Sequence, residues 1–140
     1  NYFTAIEGAL NTSFLQGMRD RMHVFFPSDP AECAYTAVLA FRAALQVIID
    51  SGDSEITPSK IRSAALGLEI EAPGGRVRIE PTNGHVHKVP RIGVLGPSGQ
   101  FDVVWTAKER IAPDPFPLRG IEEAVSHIRR TFIMGQGRGE

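Results

Sequence analysis

Ala34, Val38, Phe41, Leu45 and Ile48 recur at spacings of four, three, four and three. That is the mark of one apolar stripe along an α-helix. Tyr35, Leu39 and Ile49 widen the stripe, which predicts a helix buried on more than one side. Its start is marked by Ser28 and Asp29, whose oxygens can accept orphan N–H bonds, and by Pro30, which suits the first helical position. Glu32 complements the positive end of the same helix. Gly52 supplies a stop. Before it, residues 11–22 predict a shorter helix, with Asn11 or Thr12 as its cap and Phe14, Leu15, Met18 and Met22 on one side. Thr57-Pro58 opens a third helix by the same logic, reaching Leu66, with Ile61, Ala64, Ala65 and Leu68 facing inward.

From Leu68 the period changes to two. Leu68-Glu69-Ile70-Glu71 alternates, Pro73-Gly74-Gly75 turns, and Val77 and Ile79 alternate with Arg76, Arg78 and Glu80. Asn83-Gly84 is a strong turn signal. Arg91 to Leu95 predicts a strand, Gly96 to Gly99 a turn, and Gln100 to Thr106 the returning strand of a hairpin. Pro113, Pro115 and Pro117 end the sheet region. Ile121, Val125, Ile128 and Phe132 share a face of a final amphipathic helix, and Gly135 to Glu140 reads as a frayed tail. Helices come first, then hairpins, then a helix, without regular strand–helix alternation. The order fits either a small α+β unit or part of a larger α/β protein.

Composition narrows the class. The chain has 140 residues, 42% hydrophobic and 22% charged, enough for one ordinary domain with a core and too apolar for disorder. A formal net charge of −1 gives no basic excess to hold a phosphate backbone, so direct nucleic-acid binding is not expected. The apolar run from Ala34 to Ile49 is interrupted by Arg42 and Gln46 and falls short of the ~20 residues a bilayer needs. The chain opens Asn1-Tyr2-Phe3, without Met or a basic leader, which reads as a cut or processed end. Its one cysteine, Cys33, cannot form an internal disulfide. With small apolar neighbours and no adjacent cation, it is expected to be buried and inert.

Few residues suggest chemistry. His85 and His87, two apart on a strand, would place both rings on one face. A catalytic zinc needs a third protein ligand, and only Glu80 and His127 are loosely placed to serve. Two hydrogen-bonding loop histidines are the plainer account, and neither metal nor cofactor is expected. No Gly-x-Ser-x-Gly elbow is present. The glycine-rich Gly93 to Gly99 lies between two strands and lacks the P-loop lysine, so it reads as a hairpin turn. The corner Phe25-Phe26-Pro27-Ser28-Asp29-Pro30 joins aromatics, a hydroxyl and a carboxylate at a helix N-terminus, where small polar groups bind. Capping alone also explains it.

Several segments, in order, resemble the urea and short-chain-amide-binding proteins, a branch of the type I periplasmic-binding-protein fold. They are Tyr2 to Ile6 with Asn11 to Phe14, Ser28 to Glu32 with Ala34-Tyr35, and Glu71 to Ile79. Asn83, His85, His87-Lys88 and Pro90 to Gly93 continue the pattern, and Gly99 to Trp105 with Ile111 to Phe116 close it. The likeness spans residues 1–117. Glu7-Gly8-Ala9-Leu10 replaces an Asp-Thr-Pro element of that family, Cys33 stands where alanine is usual, and the family's proteins are far longer.

The resemblance implies an α/β chain forming the C-terminal portion of a two-lobed solute-binding protein, with residues 1–117 in that segment and 118–140 as a terminal helix and tail. It implies no enzyme but binding of a short-chain amide, urea or an amino acid between closing lobes. The implied ligand-facing residues are Tyr2, Phe3, Phe26, Ser28, Asp29 and Tyr35. The implied partner is an ABC permease, with a periplasmic location, or a transcription antitermination regulator, with a cytoplasmic one. The alternative is a truncated interaction module that forms a homo-dimer or binds a regulator without solute, because exposed apolar helix faces usually mark a partner.

Overall fold

A computed structural model describes residues 1–114. Three helices come first: α1 (Ala9–Met22), α2 (Asp29–Asp50) and α3 (Pro58–Ala65). Five strands follow: β1 (Glu69–Ile70), β2 (Val77–Ile79), β3 (Val86–His87), β4 (Arg91–Leu95) and β5 (Phe101–Thr106). The expected order of helices then hairpins is present. The terminal helix expected over 121–132 and the tail lie outside the described residues.

β1, β2 and β3 form one antiparallel sheet in that order. Glu69 pairs with Arg78, and Arg78 in turn with His87. Val77 and Ile79 are buried while Arg78 between them is exposed, the alternation of a half-buried strand. β4 and β5 form a separate antiparallel hairpin with a register shift at Ile92/Gly93. Gly96 to Gly99 closes that hairpin as expected, with Gly96 donating to Gln100 and Gly99 to Gly96, while Gly93 to Leu95 belong to β4 itself. A Cβ on Gly93 would lie 2.7 Å from Phe3 Cε1, so the first segment docks its ring into a gap that only glycine leaves.

The helix starts are built differently from expectation, except at α3. There Thr57 Oγ1 accepts from the Lys60 N–H at 3.3 Å, with Pro58 next to it. Ser28 is the N-cap residue of α2, but its side chain makes no capping bond. Asn11 caps nothing, because α1 begins two residues earlier, behind Gly8. Its buried side chain accepts from the Tyr2 hydroxyl at 2.6 Å and donates to the Thr4 and Ile6 carbonyls at 3.1 and 2.6 Å. Asn11 thus closes the loop that carries Tyr2 into α1. Tyr2 then lies edge-on to Phe14 at 5.9 Å, and Phe14 reaches Tyr35 of α2 at 4.9 Å.

α2 also presents a different face. Its buried positions are Glu32, Thr36, Ala44 and Ile48, which share one stripe. Of the predicted stripe only Ile48 is buried; Val38 and Phe41 are 65% and 51% exposed. α2 packs on α3 and β1. Apolar spacing shows that a face is sticky, not which neighbour covers it. At 22 residues α2 is longer than the run Ala34–Ile49 suggested, and by length and composition it could cross a bilayer. Its first turns instead bury Glu32 and Thr36 against protein donors.

Asn11→Ala should lower stability by about 2–4 kcal/mol, since it strands a buried hydroxyl and two carbonyls at once. Thr57→Ala should cost only about 1 kcal/mol as a single lost cap. Urea unfolding of both variants checks the ranking; equal losses would show that Asn11 does not organise the loop.

Candidate functional site

Glu32 is 0% exposed, the most buried charged group described. It lies one turn into α2, where the helix's free N–H ends favour negative charge. Its Oε1 accepts from Thr36 Oγ1 at 2.7 Å and from the Gly74 N–H at 3.3 Å. Its Oε2 accepts from Lys88 Nζ at 3.1 Å. A Cβ on Gly74 would meet Glu32 Oε1 at 3.1 Å, so glycine lets the Pro73-Gly74-Gly75 turn come within donor range. Gly75 completes that turn at φ 106°, a left-handed value that glycine alone adopts freely.

Lys88 ties this carboxylate to Cys33. Its ammonium lies 3.2 Å from Cys33 Sγ. Burial works against its charge, but the bonds to Cys33 and Glu32 outweigh that and raise Lys88 above the ordinary lysine value. Cys33 is exposed, not buried as expected. Its cation comes from 55 residues away, which neighbouring sequence cannot reveal. Asp29, Glu32 and Cys33 bring one ligand atom each within 4.8 Å of one another. The Lys88 ammonium touches two of the three, so a metal ion there would face a fixed positive charge.

The six expected ligand-facing residues fall into separate settings. Tyr2 is buried; its hydroxyl is spent on Asn11, and burial together with the Glu32 charge pushes its pKa up to about 12. Phe3 packs on Phe101 at 5.6 Å, on the hairpin side. Phe26 is 65% exposed, and Ser28 is exposed with its hydroxyl free of any capping bond. Asp29 lies 4.0 Å from the N-terminal ammonium, and its Oδ1 is shielded from water without a hydrogen-bond partner among the described residues. Tyr35 is partly exposed with its ring on Phe14. Phe26, Ser28 and Asp29 thus lie at the start of α2 and Tyr35 further along the same helix, while Tyr2 and Phe3 anchor the segment leading to it.

Asn1 and Arg91 fasten that segment to β4 by reciprocal bonds: Asn1 Nδ2 to the Arg91 carbonyl at 2.5 Å, and the Arg91 N–H to Asn1 Oδ1 at 3.1 Å. Sequence reasoning missed Glu32, Thr36, Gly74, Lys88 and Arg91 as one cluster. A carboxylate followed four residues later by threonine was the one local signal available. The histidine pair is not a shared site: His87 Nε2 meets Glu80 Oε2 at 2.7 Å, and His85 is exposed. His127 lies outside the described residues.

Lys88→Met leaves a buried carboxylate without its cation and should cost about 3 kcal/mol of unfolding free energy. Because Lys88 is raised in the fold, its contribution is full below the ordinary lysine value and fades as pH climbs through the raised one. The gap between wild type and variant should therefore hold from neutral pH to the lysine range and narrow above it. Urea unfolding across that range tests this; a gap already closed at neutral pH would mean that Lys88 does not compensate Glu32.

The periplasmic binding protein domain model matches residues 1–121, slightly past the limit of the sequence resemblance. Among solved structures, a benzoate-bound solute-binding protein of an ABC transporter from R. palustris superposes with a TM-score of 0.67. It is 14% identical and covers 81% of this chain and 30% of its own. An amino acid ABC transporter substrate-binding protein from Pseudomonas fluorescens gives a TM-score of 0.60 at 18% identity, with the same two coverages. A limonene hydroxylase of Geobacillus stearothermophilus is 26% identical over 142 residues, all of this chain and 25% of that protein. The chain thus spans about a quarter to a third of the proteins it matches. Its sequence match over 121 residues and its superposition on two binding-protein structures agree: the chain belongs to the periplasmic binding protein domain family.

Proposed function

We propose that this chain is the part of a solute-binding protein that presents the start of α2 to a small polar solute, for delivery to an ABC-type permease. The observation that carries this reading is the open corner itself. Phe26 and Tyr35 offer exposed aromatic surface; among the described residues the Ser28 hydroxyl makes no capping bond and Asp29 Oδ1 accepts no hydrogen bond. Small-molecule sites combine aromatic walls with a few such polar groups. The first-turn N–H groups of α2 add donors suited to a carboxylate or a carbonyl oxygen. One structural relative is held in complex with benzoate and another serves an amino acid transporter; both kinds of molecule carry a carboxylate, and urea and short amides offer a carbonyl to the same donors. Tyr2 and Phe3 act in this reading by fixing the segment that faces the corner.

The reading is one of binding, not of the hydroxylation in the curated relative's name. What supports it is the match to the periplasmic binding protein domain and the likeness to two solute-binding structures. A second reading, association with another copy or a regulator, is favoured by the uncovered Val38 and Phe41 face of α2.

Thermal unfolding of the full-length protein with millimolar urea, acetamide, leucine or benzoate tests both. A ligand that binds only the folded state raises the midpoint, by about 2.7 kcal/mol of stabilisation at a hundred times Kd. One of the four should do so, and Phe26→Ala should reduce the rise. No shift with any of them, together with self-association that grows with concentration, would replace the solute reading by the second.

A further inference from the structure

Arg76 just before β2, Arg78 within it, Arg91 from β4, and Lys108 and Arg110 beyond β5 line one open basin of about 550 Å³. Against these cations the lining offers a single carboxylate, Glu109, in a chain whose net charge is −1. Cations gathered around one concavity raise the potential inside it and concentrate anions there. Carboxylates of β1 and its flank answer two of them: Arg76 bonds Glu71 at 2.6 Å, and Arg110 bonds Glu69 at 2.7 Å.

The remainder is unanswered. Among the described residues Arg78, Arg91 and Lys108 make no ion pair. Burial pulls Arg91 below the ordinary arginine value, only partly opposed by the Glu32 charge, and its Nη1 finds a carbonyl, Val89 O, at 3.3 Å. Arg110 Nη1 is shielded from water and has no acceptor among the described residues. A desolvated guanidinium edge without an acceptor is costly, and planar guanidinium forks fit carboxylate and phosphate oxygens two at a time. His87 also lines the basin, but its Nε2 is engaged by Glu80.

We propose that this basin is a second binding site, taking a small polyanion with carboxylate or phosphate groups, distinct from the solute corner at the start of α2. The shape supports a small ligand: the cations come from three separate strands and loops and converge on one concavity rather than spreading along a flat face. The inference does not rest on the solute reading.

Calorimetric titration of the full-length protein at low salt, with citrate in one arm and pyrophosphate in the other, tests it. At least one arm should saturate at one anion per chain, and the stronger arm names the anion class. Arg78→Gln, Arg91→Gln and Lys108→Gln should each weaken binding about tenfold, the loss of one charge-assisted contact. Lys108→Gln removes an exposed side chain, so it keeps the test valid if Arg91→Gln fails to fold. Phe26→Ala should leave anion binding unchanged. Failure of both anions to saturate would overturn the proposal in favour of loose attraction to an acidic protein surface. Affinity untouched by the three variants would overturn it too, and displacement of the anion by benzoate or leucine would merge the basin with the solute corner.

Discussion

The rest of the structure depends on finding partners for one buried negative charge. A carboxylate removed from water is tolerated only when its oxygens are taken by donors and its charge by a cation. Glu32 obtains both from three places: its own helix, the Pro73-Gly74-Gly75 turn and Lys88. These lie 4, 42 and 56 residues away. Satisfying Glu32 therefore brings α2 against the β1–β2 turn and the end of β3 in one arrangement. A slipped register or a rotated helix would strand the charge, which is how a polar group can specify a packing that apolar contact alone would leave loose. The same need for a donor-lined pocket explains why glycine stands at position 74.

Local order was legible because local rules produce it. The Thr57-Pro58 start of α3, the alternation of Val77 and Ile79, and the β4–β5 hairpin each follow from neighbours a few residues apart. Asn11 and Ser28 show where such rules stop. Both residue types suit a cap, but Asn11 found better partners in Tyr2, Thr4 and Ile6, and the Ser28 hydroxyl was left free. The inward face of α2 was misread because Glu32 and Thr36 look like surface residues until Gly74 and Lys88 arrive. Cys33 was misread for the same reason. Phe26, Ser28, Asp29 and Tyr35 could be named together only because they are close in sequence, whereas Tyr2 and Phe3 face opposite ways into packing.

Apolar and basic surface lie side by side in this chain. Tyr35, Val38, Phe41, Val47 and Ile49 are exposed along α2, and Ile92, Val94 and Leu95 along β4, while Arg76, Arg78, Arg91, Lys108 and Arg110 line the basin. One surface is suited to shedding water against apolar groups and the other to attracting anions through it. Two such surfaces respond oppositely to salt: screening weakens the second and leaves the first intact or strengthens it.

The reciprocal bonds between Asn1 and Arg91 join groups 90 residues apart. Closing so long a loop costs chain entropy, and nothing between the two ends repays it until the helices and hairpin are already in place. Asn1 is therefore secured only after β4 has formed to receive it, whereas Tyr2 next to it is held locally by Asn11 and Phe14. Docking of Asn1 on β4 is then governed by topology, a long-range closure, rather than by helix propensity.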